Sequence, residues 1–176
     1  MLIRNILEES VRKFDEVKAV KWLRKKEIME RSYGELMENV VSTRKGLLAE
    51  GFEGKHIALI GTSSVEWMES YLGIITGCTT AVPLDAALPC EDLIDLLNRS
   101  DSAALFLSPK LKPYLDAFLE NCPKLQKVWM LQEEVEDLPS GVYSINELRD
   151  MGMSAAEDAS CPDAEAIATI IFTSGT

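Results

Sequence analysis

The chain has 176 residues, 47% of them hydrophobic, and its 29 Asp and Glu against 18 Lys and Arg give a net charge of −11. This length and composition are typical of one globular domain with a sizeable core, which needs neither disulfides nor a structural metal for stability. The acidic residues are spread along the chain, which indicates a solvated surface and argues against nucleic acid as a partner.

The cysteines and the single histidine do not have the spacing of a metal site. The four cysteines, at positions 78, 90, 122 and 161, form no C-x-x-C pair, and His56 lies at no ligand spacing from them, so we expect no zinc site. The first residues are mixed and charged, and no apolar run approaches membrane-spanning length, so we expect neither a signal peptide nor a transmembrane helix. A reducing, cytoplasmic location is the prediction.

The first 55 residues predict a helix, a hairpin and a second helix. Apolar residues recur at helical spacing over residues 3–14, which predicts an amphipathic helix. Short apolar runs on either side of the charged residues 24–27 predict a small β-hairpin. Ser32 and Glu35 have the spacing of a capping box at a helix start, and Gly51 is a suitable helix stop.

Beyond residue 55, short apolar runs alternate with helical patterns. The predicted strands are residues 56–60, 79–82 (closed by Pro83), 103–107, 127–131 and 166–172. Four helices are predicted between these strands. The first follows a Ser63-x-x-Glu66 cap, the second begins at Pro89, and the other two cover residues 111–119 and 145–151. This alternation predicts an α/β fold, a mostly parallel sheet with flanking helices and right-handed crossovers, preceded by the first helix and the hairpin. The near-continuous apolar run of the last strand predicts burial on both faces.

The last four residues, Thr173, Ser174, Gly175 and Thr176, directly follow the last predicted strand. A small, hydroxyl-rich turn at the carboxyl end of a parallel strand allows an anion to meet backbone amides and hydroxyls without obstruction by side chains. Ser, Thr and Gly also form ordinary turns, so the tetrapeptide alone leaves both a turn and a phosphate loop open.

A longer stretch, residues 167–176, resembles the start of the signature loop of the AMP-forming adenylate-forming enzymes, the superfamily of acyl-CoA synthetases, luciferases and nonribosomal adenylation domains. Three upstream blocks resemble the same superfamily in the same order. They are Ser32-Tyr33-Gly34-Glu35-Leu36, residues 57–85 with Glu66-Trp67 and Val82-Pro83-Leu84-Asp85, and residues 93–100 with Leu97-Asn98-Arg99-Ser100. The second block, together with Leu88-Pro89, looks most like the fatty acyl-CoA synthetases. The resemblance covers nearly the whole chain.

This resemblance implies that residues 1–176 are the N-terminal portion of an AMP-binding domain, ending within the phosphate-binding loop. The parent enzyme would activate a fatty acid with ATP to an acyl-adenylate and pyrophosphate, and would transfer the acyl group to CoA. Its cosubstrates would be ATP with Mg²⁺ and CoA, and its ATP-binding residues here would be Thr173, Ser174, Gly175 and Thr176.

The rest of the family's catalytic equipment has no counterpart in this sequence. The loop lysine, the acidic magnesium ligand, the adenine and acyl pockets and the C-terminal catalytic lysine are all missing, so no catalytic or metal-binding residue is assigned. The 176-residue chain is therefore expected to be inactive. It is also expected to self-associate through apolar surface left by an incomplete sheet.

Two alternatives stand beside the fatty acid–CoA ligase. One is another adenylate-forming ligase of the same superfamily, and the other is a free-standing flavodoxin-like nucleotide-binding module without catalysis. A P-loop NTPase is not supported, because G-x-x-x-x-G-K-[ST] is absent. Trp67 and Tyr71 are interpreted as packing residues and Asp85 as a turn residue, while His56 and Cys78 receive no catalytic role.

Overall fold

The computed structural model describes residues 2–132 and 138–173. The helices are α1 (Ile3–Phe14), α2 (Tyr33–Ala49), α3 (Val65–Ile75), α4 (Cys90–Arg99), α5 (Leu115–Asn121) and α6 (Ile145–Ser154), with a 3₁₀ helix at Pro109–Tyr114 before α5. The strands are β1 (Lys18–Arg24), β2 (Glu27–Ser32), β3 (His56–Ile60), β4 (Thr80–Leu84), β5 (Ser102–Leu107), β6 (Lys127–Met130) and β7 (Val142–Ser144). Among the helices of the described ranges, none is long and apolar enough to cross a membrane.

The strands form two separate sheets, and both the hairpin and the parallel sheet are predicted from the sequence. β1 and β2 form an antiparallel hairpin, whereas β3 to β7 form a parallel sheet in the order β4-β3-β5-β6-β7. Within the parallel sheet the chain starts at β3, moves outward to β4, and then crosses back to the other side of β3. This order is that of a doubly wound sheet, with a topological switch point between β3 and β5.

Two hydrophobic cores lie on opposite faces of the parallel sheet. Successive residues of a strand point to opposite faces, so Ile57 and Leu59 of β3 pack with α2, α3 and α6, whereas Ala58 and Ile60 pack with α4 and α5. All four of these residues are fully buried. The predicted arrangement of helices on both faces is therefore confirmed.

Helices α2 and α6 pack closely because glycines lie at their contact. A Cβ atom added at Gly152 would lie 1.8 Å from the carbonyl oxygen of Ser42, and one added at Gly46 would lie 2.4 Å from that of Leu148. Neither distance is possible for a real side chain, so only glycine permits this helix pair.

Capping residues set the starts of three helices. The predicted Ser32–Glu35 box is present at α2, where the serine accepts from the Glu35 amide and the Glu35 carboxylate accepts from the Ser32 amide. The predicted Ser63 cap at α3 is wrong by one residue, because Ser64 accepts from the Trp67 amide. An unpredicted box at Ser144 starts α6 directly after β7, a strand that the sequence analysis did not predict.

Proline accounts for a second difference. The predicted helix over residues 111–119 is instead a 3₁₀ helix followed by α5, and Pro113 lies inside the 3₁₀ part. Because proline lacks an amide proton, it cannot continue the hydrogen bonding of an α-helix through this position.

The predicted last strand, residues 166–172, joins the sheet but is neither regular nor buried. It lies parallel to β4 and forms a single bridge, in which the Ala81 amide donates to the Ala168 carbonyl and the Ile170 amide donates to the Ala81 carbonyl. The next residue of β4 whose nitrogen faces this side is Pro83, which has no amide proton, so β4 donates no further bond to this segment. Pro83 thus lies within β4 rather than closing it.

The expectation of burial on both faces for this segment is wrong. Ile167 and Ile171 are 68% and 69% exposed, whereas Ile170 and Phe172 are half-buried against the α4 side of the sheet. The apolar run therefore lies along the edge of the sheet, with one set of side chains packed and the alternate set in solvent.

Candidate functional site

The start of the predicted phosphate loop lies at the carboxyl edge of the parallel sheet. Ala81 of β4 is level with Thr169 in the parallel register, so Phe172 is level with Leu84, where β4 ends, and Thr173 follows beyond it. In doubly wound sheets, ligands bind outside the carboxyl ends of the strands. Thr173 thus lies at the ligand-binding end of the strands, although beside β4 and not at the switch point between β3 and β5.

Two side-chain hydrogen bonds hold the segment that leads to Thr173. The hydroxyl of Tyr71, on α3, lies 2.9 Å from the Thr169 hydroxyl. The hydroxyl of Thr80 donates to the carbonyl oxygen of Ile167 at 2.9 Å. Together with the two backbone bonds to Ala81, they fix the path of the chain immediately before the loop. The sequence predicts Tyr71 as a packing residue and does not indicate this role.

Thr173 itself is exposed and lines an open groove of about 420 Å³. The groove is lined by Asp85, Leu88, Asp92, Asp95, Leu96, Phe172 and Thr173. Asp85 forms the predicted turn, because its carboxylate accepts from the Ala87 amide at 2.9 Å. Arg99 pairs with Asp95 at 3.3 Å, and its guanidinium lies 5.9 Å from the centre of the Phe172 ring.

The other three predicted loop residues, Ser174, Gly175 and Thr176, lie outside the described residues. Of the predicted site, the structure therefore places Thr173 alone. In the part of the chain that the structure describes, no three Asp, Glu, His or Cys side chains converge as a metal site. The three aspartates of the groove thus do not by themselves fit a resident Mg²⁺ ion.

The carboxyl ends of β3 and β5, at the topological switch point, are closed by side chains. A Cβ atom added at Gly61 would lie 3.0 Å from Ser108, 3.3 Å from Trp67 and 3.4 Å from Leu131. Trp67 stacks on Tyr71, with ring centroids 5.4 Å apart and planes at 10°, as expected for packing residues. Side chains therefore pack directly against the chain where it leaves β3, next to the place where a flavodoxin-like fold would bind its ligand.

A buried ionic cluster joins the hairpin to the helices. Glu69 of α3 is fully buried and lies 2.9 Å from both Arg31 of β2 and Arg149 of α6, and it also accepts from Asn39 at 3.1 Å. Burial raises the pKa of Glu69 to about 7, even though the two guanidinium groups favour the carboxylate. The cluster spans residues up to 118 positions apart, and no local sequence signal indicates it.

A second ionic cluster fixes the connection between α6 and the edge segment. The carboxylate of Asp158 accepts from the Nε of Arg44 at 2.7 Å and lies 3.2 Å from Arg4 of α1. Partial burial raises the pKa of Asp158, but hydrogen bonding and the charges of Arg44 and Arg4 outweigh it and leave the pKa below its usual value. The segment that leads to the loop is therefore anchored before it reaches β4.

The chain is similar to known proteins along most of its length. The AMP-binding enzyme family matches residues 7–176. The chain is 27% identical over 154 residues to long chain acyl-CoA synthetase 8 of Arabidopsis thaliana. The aligned region covers 82% of this chain and 21% of that protein. The chain is 28% identical over 153 residues to the peroxisomal long chain acyl-CoA synthetase 7 of the same plant, with 82% and 22% covered.

Among solved structures, the coronafacic acid ligase of Pectobacterium brasiliense superposes with a TM-score of 0.84 at 20% identity, over 98% of this chain and 33% of that one. At this identity the superposition shows the fold alone. The chain spans about a fifth of the curated relatives it matches. The fold, the position of Thr173 and the family match over almost the whole chain lead to one conclusion: the chain belongs to the AMP-binding enzyme family.

Proposed function

We propose that residues 1–176 form the first portion of the AMP-binding domain of a fatty acid–CoA ligase. The whole enzyme would activate a fatty acid with ATP, release pyrophosphate, and pass the acyl group from the acyl-adenylate to CoA. The long chain acyl-CoA synthetase relatives support the fatty acid as substrate. Another adenylate-forming ligase of the same family is the alternative, because the coronafacic acid ligase shares the fold.

The observation that carries the proposal is the placement of residues 166–173. Tyr71, Thr80 and Ala81 deliver Thr173 to the carboxyl edge of the sheet, where its hydroxyl can donate to a phosphate oxygen. A hydrogen bond to a charged group contributes roughly 1.5 to 3 kcal/mol. Because Asp85, Asp92 and Asp95 line the same groove, a polyphosphate there needs its charge neutralised, and ATP with Mg²⁺ fits that requirement.

The test uses the complete product of the gene that encodes this chain. We expect fatty-acid-dependent pyrophosphate release and acyl-CoA formation, and a Thr173→Val change should lower kcat/KM for ATP about tenfold or more. Thr79→Val serves as the control. Thr79 directly precedes β4, donates to the Ile74 carbonyl and does not line the groove beside Thr173, so this change should leave kcat/KM for ATP close to that of the unchanged enzyme. Activity with aromatic or amino acids but not with fatty acids would favour the alternative ligase.

The isolated 176-residue chain should behave differently. We propose that it lacks turnover and self-associates, because Ile167 and Ile171 expose apolar side chains along a sheet edge. Sedimentation of dilute protein should show dimers or larger species, and a monomer at all concentrations would contradict the proposal.

The cytoplasmic location remains a prediction, since one relative is named as peroxisomal.

One observation favours the alternative of a flavodoxin-like module, namely the strand order of the sheet. Side chains of Trp67, Ser108 and Leu131 close its switch point, which argues against a flavin there. Equilibrium titration of the chain with FMN decides the matter. Tight FMN binding would replace the ligase proposal by a binding module.

A further inference from the structure

The β1–β2 hairpin carries a charge opposite to that of the rest of the chain. Residues 18–31 contain six basic and two acidic residues, so the hairpin has a net charge of +4 while the whole chain has −11. The remainder of the chain therefore carries −15. Glu30 is already paired with two of the lysines, Lys18 and Lys21, at 3.7 and 3.1 Å. Arg24, Lys25, Lys26 and Glu27 at the turn contribute +2 of this charge. The other +2 lies at the base, where Arg31 is paired with Glu69.

The turn of the hairpin holds two lysines in an unfavourable backbone conformation. Lys25 and Lys26 have φ angles of 49° and 72°, as a two-residue turn with both residues left-handed requires. Such turns favour Asn-Gly, because other side chains meet steric conflict at positive φ. Local folding alone does not account for two lysines at this place. In residues 2–132 and 138–173, neither lysine forms an ion pair.

Next to these lysines, the hairpin exposes a pair of aliphatic side chains. Leu23 and Ile28 are cross-strand neighbours, and they are 75% and 72% exposed. The other face of the hairpin carries Trp22, which is half-buried, and Arg31 stacks over its ring at 5.6 Å. Arg31 in turn pairs with the buried Glu69. The base of the hairpin is thus fixed to the body, while the aliphatic pair and the lysines face solvent.

We propose that the tip of this hairpin, residues 23–28, docks on the surface of an anionic lipid bilayer. Leu23 and Ile28 insert among the acyl chains near the headgroups, and Lys25 and Lys26 meet the lipid phosphates. This surface does not depend on the proposed ligase activity, because it lies on the hairpin and shares no residue with the groove beside Thr173.

Charge and size favour a lipid surface over a macromolecule. An aliphatic pair beside unpaired cations suits the bilayer interface, where apolar side chains enter the hydrocarbon boundary and cations remain at the phosphates. Two aliphatic side chains are too small for the core of a stable protein interface, and the tip has no aromatic platform for nucleic acid bases.

The acidic body does not prevent such docking. The seven residues of β1 span roughly 23 Å, which exceeds the screening length of about 8 Å at physiological ionic strength. Repulsion between the body and an anionic membrane is therefore screened when only the tip of the hairpin is in contact.

The test is cosedimentation of the chain with vesicles of phosphatidylcholine alone and of phosphatidylcholine with phosphatidylserine. We expect binding to the mixed vesicles that weakens with added salt, and much weaker binding to phosphatidylcholine alone. Soluble inorganic phosphate should compete no better than an equal ionic strength of sodium chloride. Equal binding to both vesicle types would overturn the proposal.

Two double variants separate the charge from the aliphatic pair. Lys25→Asn with Lys26→Gly removes both charges and also relieves the backbone, so the hairpin remains folded. At about fivefold in partition coefficient per cation, this variant should bind the mixed vesicles about 25-fold more weakly at low salt. Leu23→Ser with Ile28→Ser should lower binding about tenfold or more at both low and high salt.

Matched controls come from exposed residues elsewhere. Lys55→Asn with Lys110→Asn removes two surface charges, and Met153→Ser removes an apolar side chain that is 67% exposed. Both controls should bind the mixed vesicles within about twofold of the unchanged chain, given how steeply the charge effect decays with distance. If the controls lose as much binding as the hairpin variants, or if duplex DNA or polyglutamate binds as tightly as the vesicles, the proposal fails.

Discussion

The hydrogen bond between Tyr71 and Thr169 gives a direct test of how the loop is positioned. Tyr71→Phe removes the hydroxyl that lies 2.9 Å from Thr169, while the ring can keep its stacking on Trp67. A hydrogen bond of this kind contributes about 0.5 to 1.5 kcal/mol net. The edge segment should therefore open about 2 to 12 times more often, at 1.4 kcal/mol for each factor of ten.

The Ile170 amide reports this opening, because it donates to the Ala81 carbonyl at 2.9 Å. In Tyr71→Phe, hydrogen exchange at Ile170 should accelerate by the same 2- to 12-fold, since exchange follows the local opening equilibrium. Amides in the buried β3 should be unaffected. In the complete enzyme, the same change should raise KM for ATP more than it lowers kcat, because it alters positioning and not the phosphate contact itself.

A double-mutant cycle completes the test. Thr169→Val removes the other hydroxyl, and the two changes together should cost no more than either alone, because they break the same bond. Additive effects, or an Ile170 amide that exchanges at the same rate in Tyr71→Phe, would show that this bond does not position the segment.

Three further measurements test the packing, the charges and the loop. Gly152→Ala places a Cβ atom against the Ser42 carbonyl, so thermal unfolding should show a loss of about 3 kcal/mol or more and a Tm lower by roughly 6 to 12 °C, whereas Gly51→Ala, in open space, should cost only its backbone strain. Burial raises the pKa of Glu69 from 4.5 to about 7, so stability from its extra proton is present below about pH 4.5 and is lost as the pH rises through 7. Relative to Glu69→Gln, the free energy of unfolding of the unchanged chain should fall by about 3 kcal/mol as the pH rises through this range. Glu120→Gln is the control. If urea unfolding gives the same pH dependence for the unchanged chain and Glu69→Gln, this prediction is wrong. Two or three charge-assisted hydrogen bonds from the turn after residue 172 to an ATP phosphate would contribute roughly 3 to 9 kcal/mol, whereas association costs about 4 to 15 kcal/mol. Calorimetry should therefore find that ATP binds the 176-residue chain with a Kd above about 1 mM. A micromolar Kd would refute this reasoning.

The features that could be predicted from the sequence depend on residues close together in the chain. The Ser32–Glu35 cap needs three intervening positions, and each parallel strand is a short apolar run next to its own helix. A proline removes a hydrogen bond only to the strand that its nitrogen faces. The sequence does not show which segment lies on that side of Pro83, so it does not predict that residues 166–172 form a single bridge with β4.

The sequence indicates Thr173 as a candidate site residue but does not indicate the residues that hold the chain leading to it. The order of strand and hydroxyl-rich turn indicated Thr173, whereas Tyr71 meets Thr169 across 98 positions and Arg31 meets Glu69 only after α2 and α3 have packed. Such pairs depend on the assembled fold, and neither periodicity nor a capping motif indicates them. Tyr71 has the spacing of a packing residue, so its hydroxyl gave no separate signal.

Because of Pro83, the stability of residues 166–173 at the edge of the sheet is independent of the stability of the sheet itself. Residues 166–173 hold β4 by two backbone bonds, both to Ala81, and Pro83 has no amide proton to donate a further one. The segment can therefore lift from the edge without disturbing β3 or β5, at a free energy set by a few contacts. Small changes at Tyr71 or Thr80 would then adjust how often the loop is in place while the melting temperature of the domain stays the same.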